Sequence, residues 1–486
     1  MGTRMHISRR RAIVAGLGAT AAVVATVAGL QTISKKSDYR NDYDVVVAGG
    51  GVAGFAAALS AAEAGARVAV LEKLPALANA YFDARNMAVV DPLRETPLGI
   101  PDSLERHYRD TLDAAGPTAD PALVRIMVEE APTALLWIER LGMVFSPTLI
   151  NSGSHWPRSH VPIGPGYVQV LSKAAARAGV DTFFSRDVVE IRRGKGGRAE
   201  SVVARTEGGT LERWIPKKAL VLAGGGFGSN HEMISRFAPA KARFESANEA
   251  GSSGELLLAA ERAGAALVDM DAVEVVPRSN PKAGIQAYLH INNARYIVVN
   301  SLGKRFVAED AHRNKIAEAF SRQPGEFAFE IGDERTVKSY SMLMQADLWK
   351  AIEIGEAFKA DTVEELAQKI GVPVASLRRT VEAYNRSVRT KRDPLGKLPI
   401  NLSHELRQPP FWAARVQQRI HLTPGGLRIN TEARVLDQFG RPIPALFAAG
   451  EITGGIHGRN SLGGDSVTDA LVFGMIAGTN AAREKS

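Results

Sequence analysis

Asp44-Val45-Val46-Val47-Ala48-Gly49-Gly50-Gly51-Val52-Ala53-Gly54 is the stretch on which the fold turns. Its apolar half reads as a short strand buried on both faces of a parallel sheet. The glycines at 49, 51 and 54 then follow the G-x-G-x-x-G spacing of a dinucleotide-binding turn. In that pattern the first glycine permits the tight turn, the second lets a pyrophosphate approach the backbone, and the third lets the helix pack closely on the strand. Working outward, Phe55 to Ala66 is alanine-rich and helical, and Arg67 to Glu72 reads as a second strand. A strand, glycine turn, helix and strand within about thirty residues is the size of a βαβ dinucleotide module. The helix start, with Val52 and Ala53, offers free N–H groups and a positive dipole end to phosphates. Glu72, followed by Lys73, ends the second strand, where an acid accepts hydrogen bonds from the adenosine ribose.

Beyond this module, residues 102–146 and 167–178 carry helical spacing. Val188 to Arg205 alternates like β structure, interrupted by the turn signal Gly194-Lys195-Gly196-Gly197. Lys218 to Ala223 reads as a third buried strand running into a second glycine cluster, Gly224 to Gly228. From about Asp271 to Pro410 the character changes, with a strand at Tyr296–Val299 and a helical hairpin over 363–370 and 374–387. Strands and a last helix return after residue 412, including Ala445 to Ala449 leading into Gly450-Glu451. The organisation expected is an N-terminal signal at 1–30, a polar linker at 31–42, a nucleotide-binding domain at 43–270 resumed at 412–486, and an insertion at 271–411.

The later glycine motifs decide which dinucleotide is bound. Ala223-Gly224-Gly225 and its surroundings resemble the second FAD-binding turn of two-domain flavoproteins, and Gly450-Glu451 resembles their C-terminal motif, whose acid faces the cofactor. Further segments are specific. Gly303-Lys304-Arg305-Phe306-Val307, Val363 to Ala367, Ile370 to Pro373 and Tyr384-Asn385 resemble the cap of soluble fumarate reductases, and His421 to Leu427 resembles their H-x-T-x-G-G segment. Glu451 to Gly458, Asn460 and Leu462-Gly463-Gly464 close the pattern. The chain is thereby identified, over roughly residues 40–482, as a member of the fumarate reductase and succinate dehydrogenase flavoprotein family, which also holds urocanate reductases and ketosteroid dehydrogenases. The resemblance implies an α/β fold with a discontinuous Rossmann-like FAD-binding domain and an inserted α+β capping domain. It implies FAD as cofactor, with Ser461 and Leu462 joining the glycines, Glu72 and Glu451 around it, and hydride exchange between flavin N5 and an activated carbon–carbon bond. By the same resemblance Arg313, in Ala311-His312-Arg313-Asn314, matches the proton-delivering arginine, and His421 contacts substrate or flavin.

Departures from the family pattern narrow the expectation. No histidine lies between Val47 and Arg106, so the covalent histidyl link of succinate dehydrogenases has no obvious donor and FAD is expected to be noncovalent. The family's substrate-carboxylate histidine falls at Val276, its Thr-Glu pair near Tyr288-Leu289 and an anchoring arginine at Ser461, with Arg278 and Arg459 nearby as substitutes. A small dicarboxylate needs paired cationic clamps, so fumarate is not the expected substrate. The aspartate that usually follows the arginine is Asn314, which leaves Glu309 or Asp310 as the acid to relay a proton.

The chain has no cysteine, which excludes disulfides, cysteine-ligated clusters, thiolate metal sites and c-type haem attachment. No histidine spacing suggests a metal site. Half of the net charge of +8 comes from Arg4, Arg9, Arg10 and Arg11 in an acid-free N-terminus, so the body of the chain shows no electrostatic case for nucleic acid. Ser8-Arg9-Arg10-Arg11 before the mild apolar run Ala12–Leu30 reads as a twin-arginine export signal, cleaved, or retained as an anchor that gives the only membrane contact. The expectation is an exported, periplasmic FAD oxidoreductase with a small-molecule substrate and an external electron donor or acceptor. The alternatives are a ketosteroid-dehydrogenase-like enzyme for a bulky apolar substrate, and a non-catalytic flavin redox subunit.

Overall fold

The computed structural model describes residues 39–77, 86–152, 156–279, 287–340 and 342–485. The proposed signal, most of the linker and residues 79–85 lie outside these. Strands β1 (Val45–Ala48), β2 (Val68–Leu71) and β4 (Ala219–Leu222) are buried throughout. That is what apolar runs without alternation dictate, because such strands need cover on both faces. They join β3 (Asp181–Phe183), β10 (Arg434–Leu436) and β11 (Pro442–Ala448) in a six-stranded sheet of order β10-β11-β4-β1-β2-β3. All neighbours are parallel except the β10–β11 pair at the edge. The sheet therefore combines strands from before residue 223 with strands from after residue 433.

Helix Val52–Glu63 and the last helix, Asp465–Arg483, pack against each other over this sheet. Small residues make the approach possible. A Cβ on Gly478 would stand 2.0 Å from Ala57 O, and one on Gly474 2.8 Å from Ala53 O. The two helices thus touch backbone to backbone, and the glycine turn before the first is clamped from the chain's far end.

A second, antiparallel sheet of five strands is built from β5 (Glu274–Arg278), β6 (Ile297–Val299), β7 (Phe327–Asp333), β8 (Ala357–Ala360) and β9 (Phe411–Leu422). The long strand β9 is its spine. One edge of β9 pairs with β7, and the other pairs with β8 near residue 411 and with β5 from Gln417 onward. Residues 412–422, read from sequence as the resumption of the nucleotide domain, thus hydrogen-bond within this second sheet, and the chain crosses to the cleft at Thr423.

The β5–β9 register is broken at one point. Glu274 pairs with Leu422 and Val275 with Ile420, so His421 is an extra residue with no counterpart on β5. The cause is a third segment. Ile420 gives its N–H to Glu245 O (2.9 Å) and its carbonyl accepts from Ala247 N (2.9 Å). Bulges of this kind bend a strand and re-aim a side chain.

Candidate functional site

At the carboxyl ends of β1, β2 and β4 lies a cleft lined by Gly49–Ala53, Glu72, Lys73, Ala223–Gly225, Glu451 and the residues around them. Its glycines are required for different reasons. Gly49 has φ +112°, and a Cβ there would stand 2.2 Å from Ala223 O; a Cβ on Gly54 would stand 1.9 Å from Gly49 O. At Gly51 an added Cβ meets no atom of the described residues within 4 Å. The fold itself tolerates a side chain there, so what the bare position serves is the approach of a ligand to the helix N-terminus. Gly51 is the N-cap of helix Val52–Glu63 and makes no side-chain cap, which leaves first-turn N–H groups directed at the cleft.

Glu72 braces the turn. Its Oε2 accepts from Gly50 N (2.7 Å) and its Oε1 from Leu74 N (2.8 Å). Lys73 pairs with Glu255 at 2.9 Å. Glu451 Oε1 accepts from Thr423 N at 3.0 Å. Two buried groups at the cleft, His457 and Asp469, are bonded to each other (Nε2 to Oδ2, 3.2 Å), while His457 Nδ1 and Asp469 Oδ1 have no partner among the described residues. Burial opposes the charged imidazole, but Asp469 and the nearby Asp465 and Glu274 outweigh it and raise the His457 pKa. A helix start left open at Gly51, an acid ending β2 and unsatisfied buried polar atoms fit a flavin dinucleotide. Ser461 and Leu462, expected here, stand outside the cleft lining.

A second cavity adjoins the first. Ser466 lines both, and the chain passes from one to the other between His421, which faces the second, and Leu422 and Thr423, which face the first. Arg313 opens helix Arg313–Ser321 and lines this second cavity. Its Nη1 donates to Glu274 Oε2 (2.8 Å) and to Ser461 Oγ (2.6 Å), and the other Glu274 oxygen accepts from Ser461 N. The sequence motifs thus bring Arg313, His421 and Ser461 to one place, with Ser461 bonded to Arg313 through Oγ and to Glu274 through its N–H.

The proton partner differs from the sequence expectation. Glu309 is buried against Arg305 (2.7 Å) and Lys397 (3.1 Å). Burial works against its charge, but the two cations prevail and hold its pKa at about 2. Asp310 accepts from Leu398 N and Asn401 Nδ2, both at 2.8 Å. Glu309 is tied to β6 through Val298 N (3.1 Å) and Asp310 to the segment at 398–401, and Glu274 is the carboxylate at Arg313. Of the two spare arginines, Arg459 pairs with Asp271 at 2.8 Å on the surface, with half its side chain exposed. Arg278 lines the cavity.

Sequence reasoning missed Glu274 and Glu330 and left His290 unassigned. A signal was present: both glutamates interrupt apolar strand runs, Val-Glu-Val-Val and Phe-Glu-Ile, where a buried acid requires a partner. Tyr288, at the position of the family's Thr-Glu pair, stacks on His290 with ring centroids 4.2 Å apart and lines the cavity. Among the described residues no group of three or more His, Asp and Glu side chains stands where it could hold a metal ion.

Comparison with known proteins agrees with this geometry. The family model described as FAD binding domain matches residues 44–467. A probable fumarate reductase of Shewanella frigidimarina is 36% identical over 450 residues, covering 90% of this chain and 74% of that protein. Among solved structures, the open conformation of a flavocytochrome c3 fumarate reductase superposes with TM-score 0.73 at 33% identity, over 96% of this chain and 81% of the other. The 3-ketosteroid-Δ4-(5α)-dehydrogenase of Rhodococcus jostii, solved with 4-androstene-3,17-dione, gives 0.68 at 28% identity, over 93% and 98%.

Proposed function

The chain belongs to the FAD-binding flavoprotein family that includes the fumarate reductases, and from that membership we propose that it reduces a carbon–carbon double bond polarised by an electron-withdrawing group, using noncovalently bound FAD. The observation that carries this reading is Arg313, fixed by buried Glu274 and by Ser461 in a cavity that meets the dinucleotide cleft. Bound flavin supplies the hydride in such chemistry. The remaining need is a proton at the other carbon, and Arg313 is placed to deliver it. Arginine is a poor acid, with a pKa above about 12, so it serves only where a neighbour restores its proton and water is kept out. Glu274, at 2.8 Å, is that neighbour. His421, displaced into the cavity by the bulge, is placed to hydrogen-bond the activating group. In this reading the FAD domain comprises residues 43–270 and resumes at Thr423, residues 271–422 cap it, and residues 1–30 direct export of the folded holoprotein. Electrons come from a donor outside the chain, since no cysteine is available to ligate a cluster or attach a haem.

Anaerobic stopped-flow reoxidation of the reduced enzyme by a panel of enoates tests the proposal. Arg313→Ala is expected to retain FAD and to lose about 10²-fold or more in rate, the scale of general acid catalysis. Arg313→Lys is expected to recover part of that loss, and Glu274→Gln to slow the step with flavin content intact. Wild-type rates in Arg313→Ala, or no reoxidation by any enoate, would sink it. A second reading, dehydrogenation of a bulky ketosteroid, draws on the apolar lining of Val276, Val298, Val307, Ile316 and Met344 and on the steroid-bound structural neighbour. Bleaching of the oxidised flavin by a saturated ketosteroid, without enoate turnover, would favour it.

A further inference from the structure

Away from both cavities lies a sheet of four strands, in the order Tyr39–Arg40, Leu211–Trp214, Ala199–Thr206 and Arg186–Arg193. Arg40 pairs with Trp214, Trp214 with Val202, and Arg193 with Ala199. Arg40, the turn 194–198 and the exit at 215–218 therefore emerge at one end of the sheet. The stretch that builds it is basic. Residues 186–218 hold nine basic and five acidic side chains, an excess equal to that of the whole chain beyond residue 30. At the end of the sheet the donors go to main-chain carbonyls. Arg193 Nη1 donates to Ala263 O (3.1 Å), Arg262 Nη2 to Val189 O (3.1 Å), Lys217 Nζ to Asp42 O (3.5 Å) and Lys218 Nζ to Ala482 O (2.7 Å). A carbonyl accepts the bond without cancelling the charge, and no ion pair joins these four cations to an acid among the described residues. Glu200 is matched by Arg213 at 3.3 Å and Glu484 by Arg434 at 2.8 Å, so neither neutralises them. Arg40, Arg193, Lys195, Lys217 and Arg262 are exposed. Phe439, in the turn after Asp437, is 70% exposed, and Asp437 bridges Ala265, two residues from the carbonyl that holds Arg193.

We propose that this cationic end of the sheet adsorbs to an anionic lipid bilayer, with Arg193, Lys195, Lys217 and Arg262 against the headgroups and Phe439 in the interface. Charge alone would suit any anionic partner. The bare aromatic beside the cations is what favours a bilayer, whose boundary accepts apolar rings and basic side chains together. The route of the chain agrees. The apolar run Ala12–Leu30 ends nine residues before Tyr39, and this sheet is the first that the described chain enters. Nine residues span about 30 Å at full extension. That run, lodged in a bilayer, would hold this sheet at the surface. The contact stands apart from the enoate-reductase reading and needs none of the residues around the two cavities.

The test is co-sedimentation of the full-length holoprotein with two kinds of vesicle, pure phosphatidylcholine and phosphatidylcholine mixed with phosphatidylglycerol. Wild type is expected to prefer the mixed vesicles, and to lose the preference at 1 M salt, where the Debye length falls to about 3 Å. The triple variant Lys195→Gln, Lys217→Gln, Arg262→Gln is expected to bind mixed vesicles roughly a hundredfold more weakly, at about fivefold for each charge, with flavin content and melting temperature near wild type. The arginines before Ala12 are the same in both proteins, so the difference reads the folded face. Neutralising three exposed cations of the insertion, Lys304, Lys369 and Arg386, is expected to leave binding unchanged. Phe439→Ser is expected to weaken binding about tenfold at low and high salt alike, the scale of one aromatic side chain removed from water. Wild-type binding in the sheet variant, an equal loss in the insertion variant, or no effect of Phe439→Ser would each overturn the docking face. Retention on poly-glutamate that depends on the three sheet cations, without binding to mixed vesicles, would assign the face to an acidic protein and overturn the bilayer.

Discussion

Gly51 and Gly54 sit in one turn, yet a side chain at each would meet different neighbours. At Gly54 the obstacle is the protein's own backbone, Gly49 O at 1.9 Å; at Gly51 no described atom lies within 4 Å. Gly54→Ala is therefore expected to lower the melting temperature of the apoprotein and of the holoprotein alike. Gly51→Val is expected to melt like wild type without FAD and to purify nearly flavin-free. Wild-type flavin stoichiometry in Gly51→Val would show that no phosphate approaches there. These glycines, Glu72, Arg313 and His421 were legible because a motif ties residue type to spacing. Glu274 was not, because its meaning comes from a contact with Arg313, 39 positions away, and through it with Ser461, a further 148 from the arginine. Glu330 and His290 are likewise 40 positions apart. No local pattern records such pairings.

Strands β1, β2 and β4 and the end of β11 were readable from sequence because burial there leaves uninterrupted apolar runs, whereas the half-exposed edge strand β3 was not. β7 escaped the same reading, and β9 was read as strand but given to the wrong sheet, because polar side chains are buried within them: Glu330 in one, Gln418, Arg419 and His421 in the other. A buried polar residue erases the alternation on which strand recognition depends. The short helix Pro92–Glu95 shows another consequence of burial. Asp91 caps it by accepting from Leu93 N at 3.1 Å, and Glu95 closes it with Oε1 unpartnered among the described residues. Burial, reinforced by Asp102, pushes the Glu95 carboxyl up to about 7, against a backbone hydrogen bond at Asp91 and the charge of Arg158. The native state thus holds this proton more tightly than the unfolded chain. Stability contributed by the neutral form falls as pH rises from the ordinary carboxylate range through about 7, and is absent above it. Glu95→Gln is accordingly expected to raise the melting temperature more at pH 8 than at pH 5. Equal shifts at the two pH values would mean that Glu95 is ionised throughout.

At the scale of the molecule, one sheet builds the dinucleotide cleft and the other the wall of the second cavity, with β9 running from the second toward the first. The histidine nearest in sequence after the glycine turn, His107, is buried and bonded to Asp465 at 2.9 Å. Acid precipitation of the purified protein is therefore expected to release all flavin into the supernatant. Flavin retained on the denatured chain would point to His457, which lines the cleft, as a covalent carrier. The sequence order of strands allowed the two-part construction of the parallel sheet to be anticipated, but the exact hand-over between sheets was hidden, since it depends on the bulge at His421. That irregularity has a bearing on modularity. The bulge is made by three separate stretches, 245–247, 274–275 and 420–423. A chimera that joined residues 271–411 of this chain to the cleft of a relative would inherit β5 and most of the apolar wall, but not the partners that displace His421. The transferable cassette for substrate choice is therefore not a contiguous domain; it is the insertion together with both seams that hold it out of register.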